Sequence, residues 1–312
     1  MFYKSLIVFD KEIDLKASLF SGQSFLWIII DSDGQYYATV ISDTVIIIRQ
    51  LSDYEIEVMS SSHSINGYII SDFMYKYFSV DVDVKSILSD YFSYRYPELF
   101  CAIQGFLSIK VLRQNPYETL ITFMCAQGIG MHSIRKQVSM ITQAYGEKKS
   151  ITLSGKEIIL HTFPTPEKLS AVDPLLLSTC TNNNRIRATN IVLAAQAVAD
   201  GKIDLKALAN PAIPLADLRN TLCQNRGIGF KIADCIALFG LGRFDAFPID
   251  THVKQYLATW FNSTTALRPL TPARYLLLDA EARTFLNPEL AGYAGHILFH
   301  CWRKEIKKLQ SF

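Results

Sequence analysis

The sequence predicts an α+β protein, with an antiparallel β-sheet domain over residues 1–97 and an all-α domain over residues 98–312. Three observations carry this expectation. The first eighty residues hold short runs rich in Val, Ile and Tyr, separated by turn-forming pairs. From about residue 84 the apolar spacing becomes helical, with recognisable caps. The charge divides along nearly the same line: residues 1–100 carry 7 Lys/Arg against 14 Asp/Glu, a net −7, and residues 101–312 carry 24 against 15, a net +9.

In chain order, Ile28–Ile30, Tyr36–Ile41 and Thr44–Gln50 read as strands punctuated by Asp33-Gly34 and Ser42-Asp43. Asn66-Gly67 is a further hairpin signal before Tyr68-Ile69-Ile70. Together they describe a meander with one covered face. Asn115-Pro116-Tyr117-Glu118 then places a capping side chain, a proline in the first helical position and an acid in the first turn. Leu120, Ile121, Met124 and Cys125 mark the buried stripe of that helix. Thr165-Pro166-Glu167 and Asp173-Pro174 open two more helices in the same way, and another runs from Asn190 to Ala199, ending near Gly201. Residues 146–158 read as a loop or short hairpin.

The composition narrows the class. With 49% hydrophobic residues in 312, the chain can bury a large core, which excludes a disordered tail or a collagen-like repeat. Its longest apolar runs, such as Phe25–Ile30, are too short to cross a membrane, and the acids among the first residues come too early for a secretory signal. The six cysteines follow no pairing rhythm, so a reduced, cytoplasmic compartment is expected. The basic second part suits a polyanion, although a solvated basic face would look the same.

The informative segment runs from Leu222 to Leu257: a helix, a Gly227-Ile228-Gly229 turn, a second helix, and a Pro-Ile-Asp turn into a third. Backbone N–H groups at such a glycine turn, opening a helix, suit a phosphate and hold a duplex without reading its sequence. An ordinary helix–helix turn also contains Gly-x-Gly. Lys231 stands in the first turn of the apolar helix that follows, where the helix dipole and desolvation both disfavour the ammonium form. A neutral lysine amine is a nucleophile able to form Schiff bases. Cys235 lies one turn on, on the same face. Asp250 can cap the next helix or stabilise a developing positive charge. Taken singly, a surface lysine, a core cysteine and a plain N-cap would account for these three residues.

Together, Gly227-Ile228-Gly229-Phe230-Lys231 with Asp250 and His252 resemble the helix–hairpin–helix and Gly/Pro-Asp motif of the DNA glycosylase superfamily. Lys231-Ile232-Ala233-Asp234-Cys235 is similar to its 8-oxoguanine DNA glycosylase branch. So are Ser21-Gly22-Gln23-Ser24-Phe25-Leu26-Trp27, Val111-Leu112-Arg113-Gln114-Asn115-Pro116, and Ala291-Gly292-Tyr293-Ala294-Gly295-His296-Ile297-Leu298-Phe299. These segments follow one another from about residue 15 to about 300.

The resemblance implies a TATA-binding-protein-like N-terminal domain and a helical glycosylase core. It implies a bifunctional enzyme that excises oxidised purine from duplex DNA through a lysine Schiff base and then cleaves the strand as a lyase. Lys231 and Asp250 would be the catalytic pair. Cys235 and Phe299 would sandwich the extruded base, and Gly22 would offer its carbonyl to the N7 hydrogen that separates 8-oxoguanine from guanine. Gly227, Gly229, His252, Arg185 and Arg187 would face DNA. No metal, iron–sulfur cluster or other cofactor is implied, since Cys301 alone stands near the C-terminus. The expected partner is damaged double-stranded DNA bound by a monomer, at the nucleoid of a prokaryote or in the nucleus of a eukaryote, with no membrane. A monofunctional alkylbase glycosylase, which lacks the lysine, and a non-catalytic helix–hairpin–helix DNA-binding protein are the alternatives.

The chain also departs from the pattern. Gly128-Ile129-Gly130 stands where the family often has three asparagines, and Ser133 where it has the arginine that reads the opposite cytosine, with Arg135 displaced to another helical face. The intercalating tyrosine falls near Asn184, and the glutamine at the Watson–Crick edge of the lesion falls on Gly295, beside His296. Weaker discrimination of the opposite base is therefore expected. Arg303, Lys304, Lys307 and Lys308 read as a solvated helix end that suits the macrodipole, with contact to DNA as the alternative.

Overall fold

A computed structural model describes residues 2–84, 87–88, 91–153 and 155–309. Five antiparallel strands, β1 (Tyr3–Val8), β2 (Ile28–Ile29), β3 (Tyr36–Ile41), β4 (Thr44–Ser52) and β5 (Glu55–Ser60), form one sheet in the order β1-β5-β4-β3-β2. The β3–β4 register pairs Ile41 with Thr44 across the two-residue turn Ser42-Asp43, whose Ser42 takes the left-handed conformation.

The sheet is covered on both faces at β3 and β4, which corrects the expectation of one covered face there, while Leu6 and Val8 on the outer side of β1 stay exposed. Ile46 and Ile48 of β4 pack with Leu15, Leu19, Met74 and Phe78 on one side. Val45 and Ile47 pack on the other side with Ile151 and Leu160. Those last two residues belong to a hairpin, Lys148–Leu153 paired with Lys156–His161, sent back from the second half of the chain. A strand buried on both faces needs no polar alternation, and this is why Val45–Ile48 is an unbroken apolar run.

Two helices appear where only strands were expected. Leu15–Phe20 is capped by Asp14, which accepts from the Ala17 N–H. Ile70–Tyr77 begins directly after the Asn66-Gly67 turn, so Ile70 is helical and the hairpin there is only Ser64–Ile65 with Tyr68–Ile69. The caps read at Asn115, Thr165 and Asp173 are all present and accept backbone N–H groups. The helix expected from Asn190 starts earlier, at Arg185, capped by Asn184.

The helices enclose a second core that includes Phe25 and Phe92 from the first part of the chain. The two cores are tied by one fully buried amide. Gln23 Nε2 donates to the carbonyls of Ser18 and Lys110, its Oε1 accepts from the Leu112 N–H, and its own carbonyl accepts from Gln114 Nε2. The loop Ser21–Gln23 is thereby fixed against the helical part, and Gly22 is held at the junction.

Candidate active site

The hairpin turn Gly227–Gly229 leads into helix Phe230–Cys235, which continues as a π-helical turn over Ile236–Gly240. Gly227 has φ +83°, and a Cβ there would meet the Asn190 side chain at 2.8–3.1 Å. Its carbonyl accepts from Gln127 Nε2, and the Gln127 carbonyl in turn accepts from the Arg187 guanidinium. Arg187 is only 6% exposed. It therefore buttresses the hairpin from inside and does not present its charge to DNA, which corrects its expected place. Arg185 is exposed at the start of the same helix.

One small cavity brings together Lys231, Asp250, Gly22, Cys235 and Phe299, all five residues expected at the chemistry and the base. Lys231 Nζ lies 5.3 Å from the centre of the Phe123 ring. Cys235 is buried beside it. Burial pushes the Cys235 thiol up to about 12, while the neighbouring Lys231 pulls the other way. The group is therefore a neutral apolar wall, suited to lie against a base. Asp250 caps helix Thr251–Trp260 through Oδ1, which accepts from the Val253 N–H at 2.9 Å. Its second oxygen is not used in that cap.

The elements that carry Lys231 and Asp250 are coupled by residues that sequence reasoning did not single out. Asp234, on the helix of Lys231, receives a bidentate pair from Arg219 at 2.7 and 2.9 Å. It also accepts from the Tyr275 hydroxyl at 2.6 Å, and that hydroxyl accepts from the Ile249 N–H at 3.1 Å. Arg219 reaches Asp279 as well, and Asp279 pairs with Arg283. The two carboxylates hold the buried Arg219 firmly in its charged form. The turn preceding Asp250 is thus hung from the helix carrying Lys231 through one phenol.

The opposite wall is Gly22, with φ +96°. That backbone conformation is one L side chains rarely adopt, and a Cβ here would also push aside the Met131 side-chain end, 2.5 Å away at Cε. Phe299 is flanked by His252, with ring centres 5.8 Å apart, and by the Arg303 guanidinium at 5.5 Å. Burial lowers the pKa of His252; Arg303 and Lys307 lower it further, and Asp250 opposes them. Arg303 is 8% exposed and packs at the cavity mouth beside the buried Trp302, which corrects its expected place, while Lys307 and Lys308 are exposed as a solvated helix end would have them.

The cavity opens into a groove of about 1180 Å³, lined among others by Gly128, Gly130, His132, His252, Lys254 and Arg303. Arg135 turns away from it, donating to the Trp27 carbonyl and lying 5.1 Å from the Phe20 ring centre, as its helical face predicts. Among the described residues, no group of three or more His, Cys, Asp or Glu side chains could hold a metal ion, and all six cysteines are free.

The chain resembles known proteins in both sequence and fold. Residues 5–120 match the family model of the 8-oxoguanine DNA glycosylase N-terminal domain. The chain is 28% identical over 276 residues to the N-glycosylase/DNA lyase of Saccharomyces cerevisiae, covering 82% of this chain and 70% of that protein. It is 28% identical over 294 residues to the N-glycosylase/DNA lyase OGG1 of Arabidopsis thaliana, covering 92% and 77%. A solved structure of MBOgg1 in complex with a low-affinity DNA ligand superimposes with a TM-score of 0.78 at 27% identity, covering 96% of both chains. Over most of its length the chain is thus similar to N-glycosylase/DNA lyases, and its first part matches the N-terminal domain of 8-oxoguanine DNA glycosylases.

Proposed function

We propose that the protein is a bifunctional DNA glycosylase and abasic-site lyase that excises oxidised purine, above all 8-oxoguanine, from duplex DNA. The observation that carries this reading is the meeting of Lys231 and Asp250 in one cavity with Gly22, Cys235 and Phe299. A glycosidic bond is out of reach inside the stack, so the damaged nucleotide must be extruded into that cavity. Cys235 and Phe299 offer apolar walls to the two faces of the base, and Gly22 its carbonyl to the N7 hydrogen. Lys231, deprotonated, attacks the deoxyribose C1′ as the bond to the base breaks. The Asp250 carboxylate stabilises the cationic sugar. The resulting Schiff base acidifies the neighbouring C–H and permits β-elimination of the 3′ phosphate.

The Gly227–Gly229 turn and His252 grip phosphates around the extruded nucleotide, with Arg185 reaching the backbone further along. The protein acts as a monomer, in the compartment that holds DNA. With Gly128 and Gly130 lining the groove and Arg135 committed to Trp27, it discriminates weakly among bases opposite the lesion. Excision with cytosine opposite that is orders of magnitude faster than with the other three bases would contradict this last point.

Borohydride trapping tests the central claim. Wild-type protein incubated with an 8-oxoguanine duplex is expected to give a covalent adduct that Lys231→Gln abolishes. A monofunctional alkylbase enzyme would excise without an adduct, and a non-catalytic binding protein would do neither.

A further inference from the structure

The resemblance leaves the polar reading of the base incomplete, because Gly295 stands at the position of the missing glutamine. The structure explains why no side chain can return there: a Cβ on Gly295 would lie 2.3 Å from the Phe247 ring. That ring occupies the space and makes the neighbouring cavity wall apolar.

The residue beside it is not apolar. His296 lines the same cavity, is 6% exposed, and lies between Phe239 and Phe299, with ring centres at 5.3 and 6.1 Å. Burial, with positive charge from His300 and Arg303 nearby, lowers its pKa to about 3, so the ring is neutral at physiological pH. Its Nε2 lies 2.8 Å from Ser21 Oγ. The direction of that bond follows from the neighbours. The Ser21 hydroxyl has one other acceptor, the Ser18 carbonyl, at a poor 3.5 Å, and that carbonyl already accepts from Gln23 Nε2 at 2.8 Å. Ser21 therefore gives its proton to Nε2. The neutral ring then carries its own proton on Nδ1, which has no hydrogen-bond partner among the described residues.

We infer that His296 reads the extruded base, its Nδ1–H donating to a purine carbonyl oxygen next to N7 while Gly22 accepts the N7 hydrogen. This rests on the glycosylase reading and sharpens its substrate class. Ser21 joins the two groups: it is chain neighbour to Gly22 and hydrogen-bond partner of His296. The pair presents one acceptor and one donor. An oxidised guanine matches it with N7–H flanked by carbonyl oxygens. Unmodified guanine offers acceptors at both N7 and O6, which leaves the Gly22 carbonyl buried and unpaired.

The test compares two reactions of the full-length protein. Single-turnover excision from an 8-oxoguanine duplex needs the base to be read; strand cleavage at a preformed abasic site does not. His296→Phe keeps the aromatic packing and removes the donor. Excision is expected to fall roughly 10–100-fold further than abasic cleavage. His296→Asn, whose amide nitrogen replaces Nδ1, is expected to recover most of the loss, and His296→Gln, which replaces Nε2, is not. Equal excision by wild type and His296→Phe, or an equal fall in both reactions, would overturn the inference alone. A wild-type protein inactive in both assays would overturn the proposed function beneath it.

Discussion

The two walls of the base cavity are held by different kinds of interaction. The wall of Lys231 and Asp250 rests on buried charge: Asp234 and Asp279 share Arg219, and Tyr275 passes the constraint to Ile249. The wall of Gly22 and His296 rests on neutral groups alone, Ser18, Ser21 and Gln23, bonded to one another and to backbone. On the proposed mechanism, ion pairs fix the groups that must stay in register while charge develops on a sugar. Neutral hydrogen bonds suffice where an uncharged base is to be recognised, and they add no field of their own to the reacting centre. The difference also predicts unequal fragility, because a broken buried pair strands a charge whereas a lost neutral bond strands only a dipole.

Arg219→Met should sharpen this contrast most. It leaves Asp234 and Asp279 facing each other in the core and is expected to cost about 3–5 kcal/mol, read as a lower urea midpoint. A cost under 1 kcal/mol would mean the charged wall is not held by that pair. Asp250→Asn separates charge from structure at the same wall. Asparagine caps a helix as well as aspartate, so the bond from the Val253 N–H survives. Binding to lesion DNA should be retained while excision falls about 10²–10³-fold, the usual cost of removing one preorganised electrostatic stabiliser. Undiminished turnover would remove Asp250 from the mechanism.

The neutral wall should break more gently. Gln23→Leu keeps the volume but leaves the Leu112 N–H and the Lys110 carbonyl without their partner. A cost of about 1–3 kcal/mol is expected, smaller than that of Arg219→Met. The reverse order in thermal or urea unfolding would contradict the comparison.

What was legible in the sequence follows the range of the interactions. Caps at Asn115, Thr165 and Asp173 are local chemistry and stand where they were read. Lys231, Cys235 and Asp250 lie within twenty residues of one another, and Gly22 and Phe299 sit in recognisable short segments. The bracing residues are different. Ser21 and His296 are 275 positions apart, and Asp234 and Tyr275 are 41 apart, so no periodicity links them. Arg187 shows the same limit, since a basic residue near a turn looks DNA-facing until its helix is found to begin at Arg185 and turn it inward. The covered second face of the sheet was hidden because its cover comes from a hairpin a hundred residues later.

Acid should expose the neutral wall through a histidine just beyond it. His300 is 3% exposed, one turn after His296, with its ring against Phe106 and its Nδ1 unpartnered. Burial, with Lys304 and Arg303 close by, lowers its pKa to about 4. The unfolded chain binds a proton there near the ordinary value of about 6.5, whereas the folded protein resists it down to about 4. Between those values the unfolded state holds more protons, so stability rises with pH across the window and is lost as pH falls through it. One such group contributes at most about 1.4 kcal/mol per pH unit. His300→Phe preserves the ring packing and removes the titration. Urea unfolding at pH 7, 6 and 5 should therefore give a flatter loss of stability for the variant than for wild type, by up to about that slope. Parallel curves would mean that His300 is protonated in the folded protein, and that this end of the helix is wetter than its packing implies.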